Sequence, residues 1–442
     1  MDRQIVKPSI LPGFMELTPN DQILFNKMLD TIRKNYEKFG FLPIDTPVIE
    51  KSEVLLAKGG GDTEKQIYRF TKGDSDLSLR FDLTVPLARY VAQHFSDLTF
   101  PFRRYHIGKV YRGERNQKGR FREFYQCDID IIGNEKLDII NDAEIPSVIY
   151  YTFKDLGFES FTIKINNRKI LSGFFEWIHI EDSAEVLRTI DKMDKIGLNG
   201  VSNELSKIGL NEETIDKIMT FTQIKGTNDE ILSNLKEMSI ENDVFNEGLE
   251  ELACVVKYVK YFGVPEENLV IDLTIARGLD YYTGTVYETF LNEYPDIGSI
   301  CSGGRYDNLA EYYTKQKLPG VGICIGLTRL FHQLREANII ESKWNSLTEV
   351  LVIPMEDCME YGIKVGNQLR NEDIHTQIYL EEGKMGKKFN YADKLGIPYV
   401  IIIGADEVKN EKITLKNMKT GDQTMLDIDE AINILKKYSQ IY

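Results

Sequence analysis

The sequence is poor in the residues that build disulfide frameworks and metal centres. Its 442 residues include five cysteines and five histidines, with no CxxC pair and no histidines at ligand-like spacing. The cysteines are scattered among apolar neighbours, which is typical of buried thiols in a reducing compartment rather than of a disulfide scaffold. The same scarcity argues against a histidine-based catalytic centre or a zinc site. We therefore expect no tightly bound protein metal.

Long apolar runs and an excess of basic charge are also missing. No run is long and apolar enough to span a bilayer, and the first residues, Met1–Gln4, do not open an apolar leader. A cytoplasmic protein without a membrane partner is therefore expected. The net charge of −15 argues against nonspecific coating of nucleic acid, but the 54 Lys and Arg can still be segregated into a basic groove for one specific RNA.

The first part of the chain has the pattern of an α+β protein. The apolar spacing over Asn20–Phe39 predicts an amphipathic helix. The segment Phe41–Ile49 is extended and interrupted by prolines, which is typical of an edge or interface strand. Further strands are predicted at Leu77–Phe81, Tyr105–Tyr111 and Phe124–Ile132. Because no regular helices separate these strands, the pattern favours an antiparallel sheet.

The composition changes twice further along the chain. Residues 185–238 are rich in Lys, Glu, Asn and Leu with helical periodicity, which predicts a small helical insertion. After residue 346, alternating strands and helices predict a separate α/β domain of roughly a hundred residues. The predicted domains are residues 1–335 with a mainly helical insertion at 171–250, a linker at 336–347, and an α/β domain at 348–442.

The segment 276–288 carries an arginine and two adjacent tyrosines between two predicted strands. Arg277 follows an apolar run, and Tyr281 and Tyr282 precede an alternating one. A guanidinium is costly to bury without an anionic partner. The segment is therefore either a hairpin with a surface arginine or a sheet surface that presents a cation and two hydroxyls to a polar ligand. The segment alone does not decide between these interpretations.

A second polar segment spans residues 112–130, where two predicted strands flank a short loop. The strands carry Arg112, Glu114, Gln126 and Asp130, and alternate positions of a strand share one face of its sheet. Such a face is either fully solvated or a polar binding floor, and the apolar neighbours favour the floor. The loop is either a solvated hairpin tip or a contact for phosphates, through Arg115, Lys118 and Arg120.

These motifs resemble those of the class II aminoacyl-tRNA synthetases, and specifically the histidyl-tRNA synthetase family. The segments that resemble the first, second and third class motifs are residues 25–50, 105–133 and 320–330. Those that resemble motifs of the histidine enzymes are residues 80–86, 277–284 and 301–307, and residues 387–398 resemble part of an anticodon-binding domain. The resemblance implies the class II antiparallel sheet with flanking helices and a helical insertion, followed by an α/β anticodon-binding domain.

The resemblance also implies an ATP-dependent ligase. In this reaction the carboxylate of L-histidine attacks the α-phosphate of ATP to give histidyl-adenylate and pyrophosphate. The histidyl group is then transferred to the 3′ end of tRNA(His). ATP is a substrate here, with Mg²⁺ carried by the nucleotide. The first motif implies a homodimer.

The family pattern gives roles to individual residues. Negative charge builds on the α-phosphate during attack, so fixed cations must face it. The resemblance assigns this catalytic role to Arg112 and Arg277. The ATP contacts that it implies are Arg112, Glu114, Phe124 and Arg329. The histidine contacts that it implies are Asp82, Thr84, Gln126, Asp130, Arg277, Tyr281 and Tyr282.

The resemblance further implies contacts with the tRNA. An unpaired acceptor end can be recognised through its backbone charge and its base edges. A basic helix is by itself usually a solvated face, and the family context favours a tRNA contact instead. The expected contacts are Arg115, Gln117, Lys118, Arg120, Lys384, Lys387 and Lys388.

Several motif residues have more than one interpretation. Asp82 could simply cap a turn, and Asp128, which alternates with Asp130, is interpreted as structural. Arg305 is either a site residue or a structural ion-pair former. The loop Gly59–Gly61 is either a mobile cover or a plain flexible turn. The family usually has an acidic residue at the position of Thr328, a departure that leaves the reaction class unchanged.

Two other functions compete with the ligase. One is a synthetase-like paralogue that binds histidine as a regulatory subunit of a phosphoribosyltransferase in histidine biosynthesis. Such paralogues commonly lose catalytic residues and the C-terminal domain, whereas Arg112, Arg277, Arg329, Glu114 and the C-terminal region all remain here. The other is a duplicate enzyme that activates histidine for an acceptor other than tRNA.

Overall fold

The structure, a computed structural model, describes residues 6–57, 62–114, 119–180, 183–190, 193–275, 281–342 and 345–439. The chain divides into two compact units, one of Met1–Met15 with Met28–Ala337 and one of Glu16–Lys27 with Asn338–Tyr442. In the part of the chain that is described, no helix has the length and apolar character needed to cross a membrane.

The strands up to residue 325 are β1 (Leu42–Pro43), β2 (Ile49–Lys51), β3 (Arg69–Lys72), β4 (Ser75–Leu79), β5 (Phe102–Tyr111), β6 (Glu123–Ile132), β7 (Phe161–Asn167), β8 (Leu269–Ile271), β9 (Thr285–Leu291), β10 (Cys301–Tyr306) and β11 (Gly320–Ile325). The helices up to residue 336 are α1 (Pro19–Lys38), α2 (Ser52–Leu55), α3 (Asp62–Gln66), α4 (Thr84–Gln93), α5 (Ile140–Asp155), α6 (Arg168–Trp177), α7 (Ser183–Ile190), α8 (Met193–Lys207), α9 (Glu212–Thr222), α10 (Asn228–Glu237), α11 (Asp243–Tyr261) and α12 (Leu327–Glu336).

Within the described residues, the first unit is built on an eight-stranded sheet of order β1-β5-β6-β11-β10-β9-β7-β8. The ladder from β5 through to β7 is antiparallel at every step, whereas the outermost pairs, β1 with β5 and β7 with β8, are parallel. The antiparallel α+β architecture expected from the sequence is confirmed. The proline-interrupted segment forms β1 at one edge of the sheet, as its pattern predicts. A smaller sheet has the order β2-β4-β3.

The two faces of the central strands differ sharply in polarity. In β6, Cys127, Ile129 and Ile131 are fully buried on one face, where helix α5 packs against β10 and β11. The intervening side chains of Gln126 and Asp130 belong to the opposite face, because successive residues of a strand point to opposite sides. The sheet therefore has an apolar face that holds the core and a polar face that is available for a site.

Within the region 171–250, where the sequence predicts a helical insertion, the structure describes helices α7 to α10, and α10 packs against α11. Near this insertion, the Phe174 ring of α6 stacks on Phe221 of α9 with 4.2 Å between ring centroids. Capping is explicit at Thr227, whose hydroxyl accepts from the Glu230 N–H while the Glu230 carboxylate accepts from the Thr227 N–H. The helical periodicity in this part of the sequence is thus confirmed.

The second unit contains the strands β12 (Val350–Pro354), β13 (Thr376–Ile378), β14 (Tyr399–Ile403), β15 (Ile413–Asn417) and β16 (Gln423–Leu426), and the helices α13 (Met359–Asn371), α14 (Met385–Lys394), α15 (Ala405–Asn410) and α16 (Ile428–Ser439). Its sheet has the order β13-β12-β14-β15-β16 in the described residues. The first three strands are parallel, and β15 and β16 are antiparallel. Apolar clusters cover both faces of β12, as expected for a parallel strand that is buried between two layers.

Candidate active site

A cavity of about 450 Å³ lies on the polar face of the eight-stranded sheet. Its volume is in the range of small-molecule binding sites. Most of the residues that the sequence predicts for an ATP and histidine site line this cavity, although they are far apart in the chain. They are Asp82, Thr84, Arg112, Glu114, Phe124, Gln126, Asp130, Tyr281, Tyr282 and Arg329, and Arg120, which is predicted to contact tRNA, lines the cavity as well.

Some predicted residues lie outside the part of the chain that is described. These are Arg277, the loop residues Arg115, Gln117 and Lys118, and the loop Gly59–Gly61. Their assignments stay predictions.

Asp130 is the most firmly held carboxylate of the cavity. The Tyr306 hydroxyl donates to its Oδ1 at 2.6 Å, and Arg104 Nη2 lies 2.5 Å from its Oδ2. Burial raises the pKa of Asp130 to about 6, against the opposing effect of the Arg104 charge. The sequence predicts Asp130 but misses Arg104, which is fully buried at the position of β5 directly opposite.

Two glycines, paired across β10 and β11, make room for the side chains at this end of the cavity. A Cβ atom at Gly322 would lie 2.4 Å from Asp130 Oδ1, and one at Gly304 would lie 3.0 Å from Tyr282 Cδ1. Glycine is required where other groups approach the backbone this closely. The motif glycine at position 304 thus accommodates a side chain of the protein itself.

The two tyrosines of segment 276–288 face the cavity. The Tyr281 hydroxyl is hydrogen-bonded to Thr84, and the Tyr281 ring meets Tyr282 edge-on with 4.9 Å between centroids. Burial raises the pKa of both phenols, so both stay protonated and can donate a hydrogen bond at neutral pH. This placement agrees with the ligand-binding interpretation of the segment.

Asp82 makes a contact within its own turn and also lines the cavity, while its contact with histidine stays a prediction. Its Oδ1 accepts from the Val85 N–H at 3.0 Å, at the start of α4. It also lines the cavity, and burial raises its pKa.

The Arg112 guanidinium is fixed between two aromatic rings. It lies 4.3 Å from the centroid of Phe81 and 5.1 Å from that of Phe124, and its Nε donates to the Phe81 carbonyl at 3.2 Å. Cation–π contacts and a backbone acceptor restrict its orientation at the cavity wall. The cation expected at the α-phosphate is therefore held in place before any ligand binds.

Three further charged side chains of the site are also held in place. Arg120 Nη1 donates to the Glu114 carboxylate at 2.9 Å, and Arg329 Nη2 donates to the Ile297 carbonyl at 3.1 Å. Burial lowers the pKa of Arg329, and the charge of Arg120 acts in the same direction. An adenine amino group at Glu114 would share this carboxylate with Arg120.

Arg305 is a structural ion-pair former in this fold. Its Nη2 lies 2.7 Å from Asp142 Oδ1 and also donates to the Leu137 carbonyl at 3.1 Å. Asp142 is fully buried, and Arg305 is not part of the cavity wall. Thr328, the departure from the family pattern, is structural as well, because its Oγ1 accepts from the Tyr125 N–H of β6 at 2.8 Å.

The basic helix of the second unit does not present its lysines uniformly. Lys384 and Lys387 are exposed, whereas Lys388 has only 7% of its surface exposed. The Lys388 ammonium donates to the Pro354 carbonyl at 3.3 Å and lies 5.4 Å from the centroid of the Tyr379 ring. The side chain of Lys388 is thus directed inward, and the tRNA contact predicted for it is not presented at the surface.

Throughout the described ranges, no group of three or more His, Cys, Asp or Glu side chains could hold a metal ion. The arrangement instead offers fixed guanidinium groups for phosphates, and carboxylates and hydroxyls for a small polar ligand.

Comparisons with known proteins agree with this arrangement. A family model for histidyl-tRNA synthetase matches residues 13–330, and one for an anticodon binding domain matches residues 349–438. A histidine–tRNA ligase from Clostridium tetani is 70% identical over 437 residues, which cover 99% of this chain and 100% of the relative. One from Finegoldia magna is 52% identical over 432 residues, or 98% of this chain and 100% of the relative.

Solved structures show the same fold. A histidyl-tRNA synthetase from Nostoc sp. PCC 7120 superposes with a TM-score of 0.91 at 43% identity, covering 98% of this chain and 100% of that one. A structure from Bacillus halodurans C, described as an ATP phosphoribosyltransferase regulatory subunit/histidyl-tRNA synthetase, gives 0.76 at 20% identity over 90% of this chain and 99% of that one. At this lower identity the likeness concerns the fold alone.

The Arg305–Asp142 ion pair generates a prediction about stability. Arg305→Ala leaves a buried carboxylate without its partner, so we expect a loss of about 3–5 kcal/mol in the free energy of unfolding. Urea titration followed by circular dichroism measures this loss. Arg69→Ala, which breaks an ion pair of 2.6 Å between exposed side chains, is the matched control and should leave the midpoint unchanged. A midpoint for Arg305→Ala equal to that of the wild type would contradict the structural role.

Proposed function

The chain belongs to the histidyl-tRNA synthetase family, and we propose from this premise that it activates L-histidine with ATP and transfers the histidyl group to the 3′ end of tRNA(His). The observation that carries the proposal is the single cavity that brings Arg112, Glu114 and Arg329 together with Asp130 and Tyr282. Arg112, Glu114 and Arg329 suit a nucleotide, whereas Asp130 and Tyr282 suit an amino acid whose side chain has two ring nitrogens.

For adenylate formation, the fixed charge of Arg112 faces the α-phosphate as it becomes more negative, together with Arg277. Preorganised cations are effective here because they need no reorganisation during the reaction. Phe124 stacks on the adenine ring, Glu114 accepts from the adenine amino group, and Arg329 holds the outer phosphates. Mg²⁺ enters with ATP and neutralises part of the phosphate charge.

For histidine recognition, Asp82, Thr84 and Gln126 surround the α-amino group. Asp130 and Tyr282 pair with the imidazole ring. Because Arg104 and Tyr306 hold the Asp130 carboxylate in one orientation, a ligand that cannot pair with it leaves buried polar groups unsatisfied. A site of this kind can discriminate by roughly four powers of ten without editing.

The competing functions have less support. The residues that face ATP are present, and the matches to histidine–tRNA ligases extend over nearly the whole chain. A function as a regulatory paralogue would rest on the similarity to the Bacillus halodurans C structure. At 20% identity, this similarity concerns only the fold. The anticodon binding domain match at residues 349–438 favours tRNA over another acceptor.

We assign adenylate formation and transfer to residues 1–335, with the helical insertion at 171–250, and anticodon contact to residues 348–442 after a linker at 336–347. Lys384 and Lys387 are the candidates for tRNA contact in the second region because their side chains are exposed. We also propose that the enzyme acts in the cytoplasm, in keeping with a role in protein biosynthesis.

Histidine-dependent exchange of pyrophosphate into ATP tests the first reaction step. We expect exchange in the wild type and a fall of roughly 10²–10³-fold in rate for both Arg277→Ala and Arg112→Ala, because each removes a cation that stabilises the transition state. Arg69→Ala removes an exposed arginine outside the cavity and should retain the wild-type rate. Wild-type protein without exchange would rule out the ligase.

Aminoacylation of tRNA tests the proposed contact in the second region. Lys384→Glu with Lys387→Glu should raise the KM for tRNA(His) about tenfold or more, because phosphate contacts dominate nucleic-acid affinity. The rate of pyrophosphate exchange, which measures adenylate formation, should stay at the wild-type value in this double variant. Lys409→Glu with Lys419→Glu adds the same charge at exposed positions of the same domain. An equal effect of both pairs would show general repulsion instead of a contact.

The homodimer is a further proposal, and the first motif carries it. Leu42 on the edge strand β1 is 59% exposed and Ile49 on β2 is 47% exposed, so this motif presents apolar surface next to a sheet edge that has no partner strand among the described residues.

Light scattering tests the homodimer and should give about twice the chain mass of 50.9 kDa. Leu42→Glu with Ile49→Glu should shift the mass toward one chain, unlike Leu380→Glu at another exposed leucine. A monomeric wild type would contradict the proposal.

A further inference from the structure

Two buried acceptor atoms without a hydrogen-bond partner belong to residues on the same face of one strand at the floor of the cavity. They are Oε1 of Gln126 and Oδ1 of Asp128, in side chains that are 8% and 2% exposed. Both residues line the cavity, and their spacing of two along β6 places them on the same face of the sheet. Buried polar atoms are nearly always paired, so two neighbouring unpaired acceptors indicate a ligand that donates hydrogen bonds.

Cys324 on β11 fixes the orientation of this pair. Gln126 Nε2 donates to the Cys324 sulfur at 3.0 Å, and the thiol in turn is hydrogen-bonded to the Asp128 carboxylate. With its amide nitrogen engaged in this way, Gln126 has its oxygen left for the cavity. The two acceptors are therefore held in place by the protein before a ligand arrives.

The charge balance shows what kind of donor is missing. Asp130 is paired with Arg104 at 2.5 Å, whereas Asp128 makes no ion pair in the part of the chain that the structure describes. Arg104 Nη1 donates at 3.4 Å to the backbone carbonyl of Asp128, not to its carboxylate. Burial raises the pKa of Asp128 to about 7. A buried carboxylate is costly without a cation, so the floor lacks one positive charge at this position.

We infer that Asp128, together with Gln126, binds the α-ammonium group of the histidine substrate as a second carboxylate beside Asp82. An ammonium group is a compact cation with three donors and no acceptor, which matches two acceptors and one negative charge. A neutral imidazole brings one donor and one acceptor and matches them poorly. This inference rests on the proposed function and deepens it, because it turns a residue interpreted as structural into one that positions the substrate.

The inference has a consequence for pH dependence. The ammonium binds the ionised carboxylate, so the affinity for histidine should increase as the pH rises through about 7. The ionisable groups that lie opposite Asp128 or interact with it electrostatically are Tyr36 from α1, Arg104 and His106 from β5, Cys127 and Asp130 from β6, Cys301 from β10, Cys324 from β11, Asp82 and Tyr282. Burial lowers the pKa of His106 to about 3, so this ring stays neutral throughout the window.

Calorimetric binding of three ligands to the full chain tests the inference. Histidine and histidinol carry the α-ammonium, whereas 3-(imidazol-4-yl)propanoate lacks it. We expect Asp128→Asn to weaken the binding of histidine and histidinol by about 10- to 100-fold, as for the loss of a charged hydrogen bond, and to change the binding of the deamino analogue by less than about twofold. Equal losses for all three ligands, or no loss for histidine, would overturn the inference.

Two controls separate this role from a structural one. Glu251→Gln neutralises a largely buried carboxylate outside the cavity, which is bound to Asn167 and Lys169, and should leave the binding of all three ligands unchanged. The second control needs no variant. In the wild type, the ratio of histidine affinity to deamino-analogue affinity should rise through pH 7 once each affinity is corrected for the separately measured titration of that ligand's own imidazole. A ratio that does not change with pH would contradict the inference even if Asp128→Asn failed to fold.

The test also separates this inference from the proposed function. Absence of pyrophosphate exchange in the wild type overturns the ligase, while the binding comparison still decides the role of Asp128. If the wild type exchanges pyrophosphate and Asp128→Asn binds histidine as tightly as the wild type, the ligase stands and only the ammonium contact of Asp128 is overturned.

Discussion

The buried contact between Arg104 and Asp130 is the constraint on which the site depends. A fully buried guanidinium and a fully buried carboxylate are tolerated only because they neutralise each other beneath the cavity floor, with the Tyr306 hydroxyl on the remaining oxygen. This pair allows one face of a sheet to be polar in the interior of the protein. The opposite face remains apolar and packs against helices, so the fold and the site are built on the same strands.

The sequence predicts the polar floor but not what supports it. The alternation from Phe124 to Ile132 is a local pattern with a period of two, and it identifies the strand and its polar positions correctly. The sequence pattern does not identify Arg104, because its importance depends on the register between β5 and β6, which places it directly opposite Asp130. The same limit applies to Asp128, since only the surroundings of its carboxylate show that one oxygen has no hydrogen-bond partner.

The second unit shows a similar limit. Strands β12 and β14 are continuous apolar runs and are easily predicted, whereas β15 and β16 are short strands among polar residues, in which Ile413 and Leu415 are the buried apolar positions. The basic helix appears uniform as a string of lysines, but packing against Pro354 and Tyr379 takes Lys388 inward. A long aliphatic stem allows lysine to be buried when its ammonium finds a carbonyl and a ring. Net charge along a helix is therefore a poor guide to the surface it presents.

The paired glycines of β10 and β11 limit how the ligand preference of this pocket can evolve. A side chain at Gly322 would collide with the Ile129 carbonyl and the Asp130 carboxylate, and one at Gly304 would collide with the Thr285 carbonyl and press on the Tyr282 ring. A lineage that drifts toward another ligand cannot enlarge these positions one at a time without moving Asp130 or Tyr282, the residues proposed to bind the imidazole. Change at either glycine therefore requires a change at its neighbouring side chain. The backbone beneath the cavity thus limits the gradual change of specificity along with the side chains that line it.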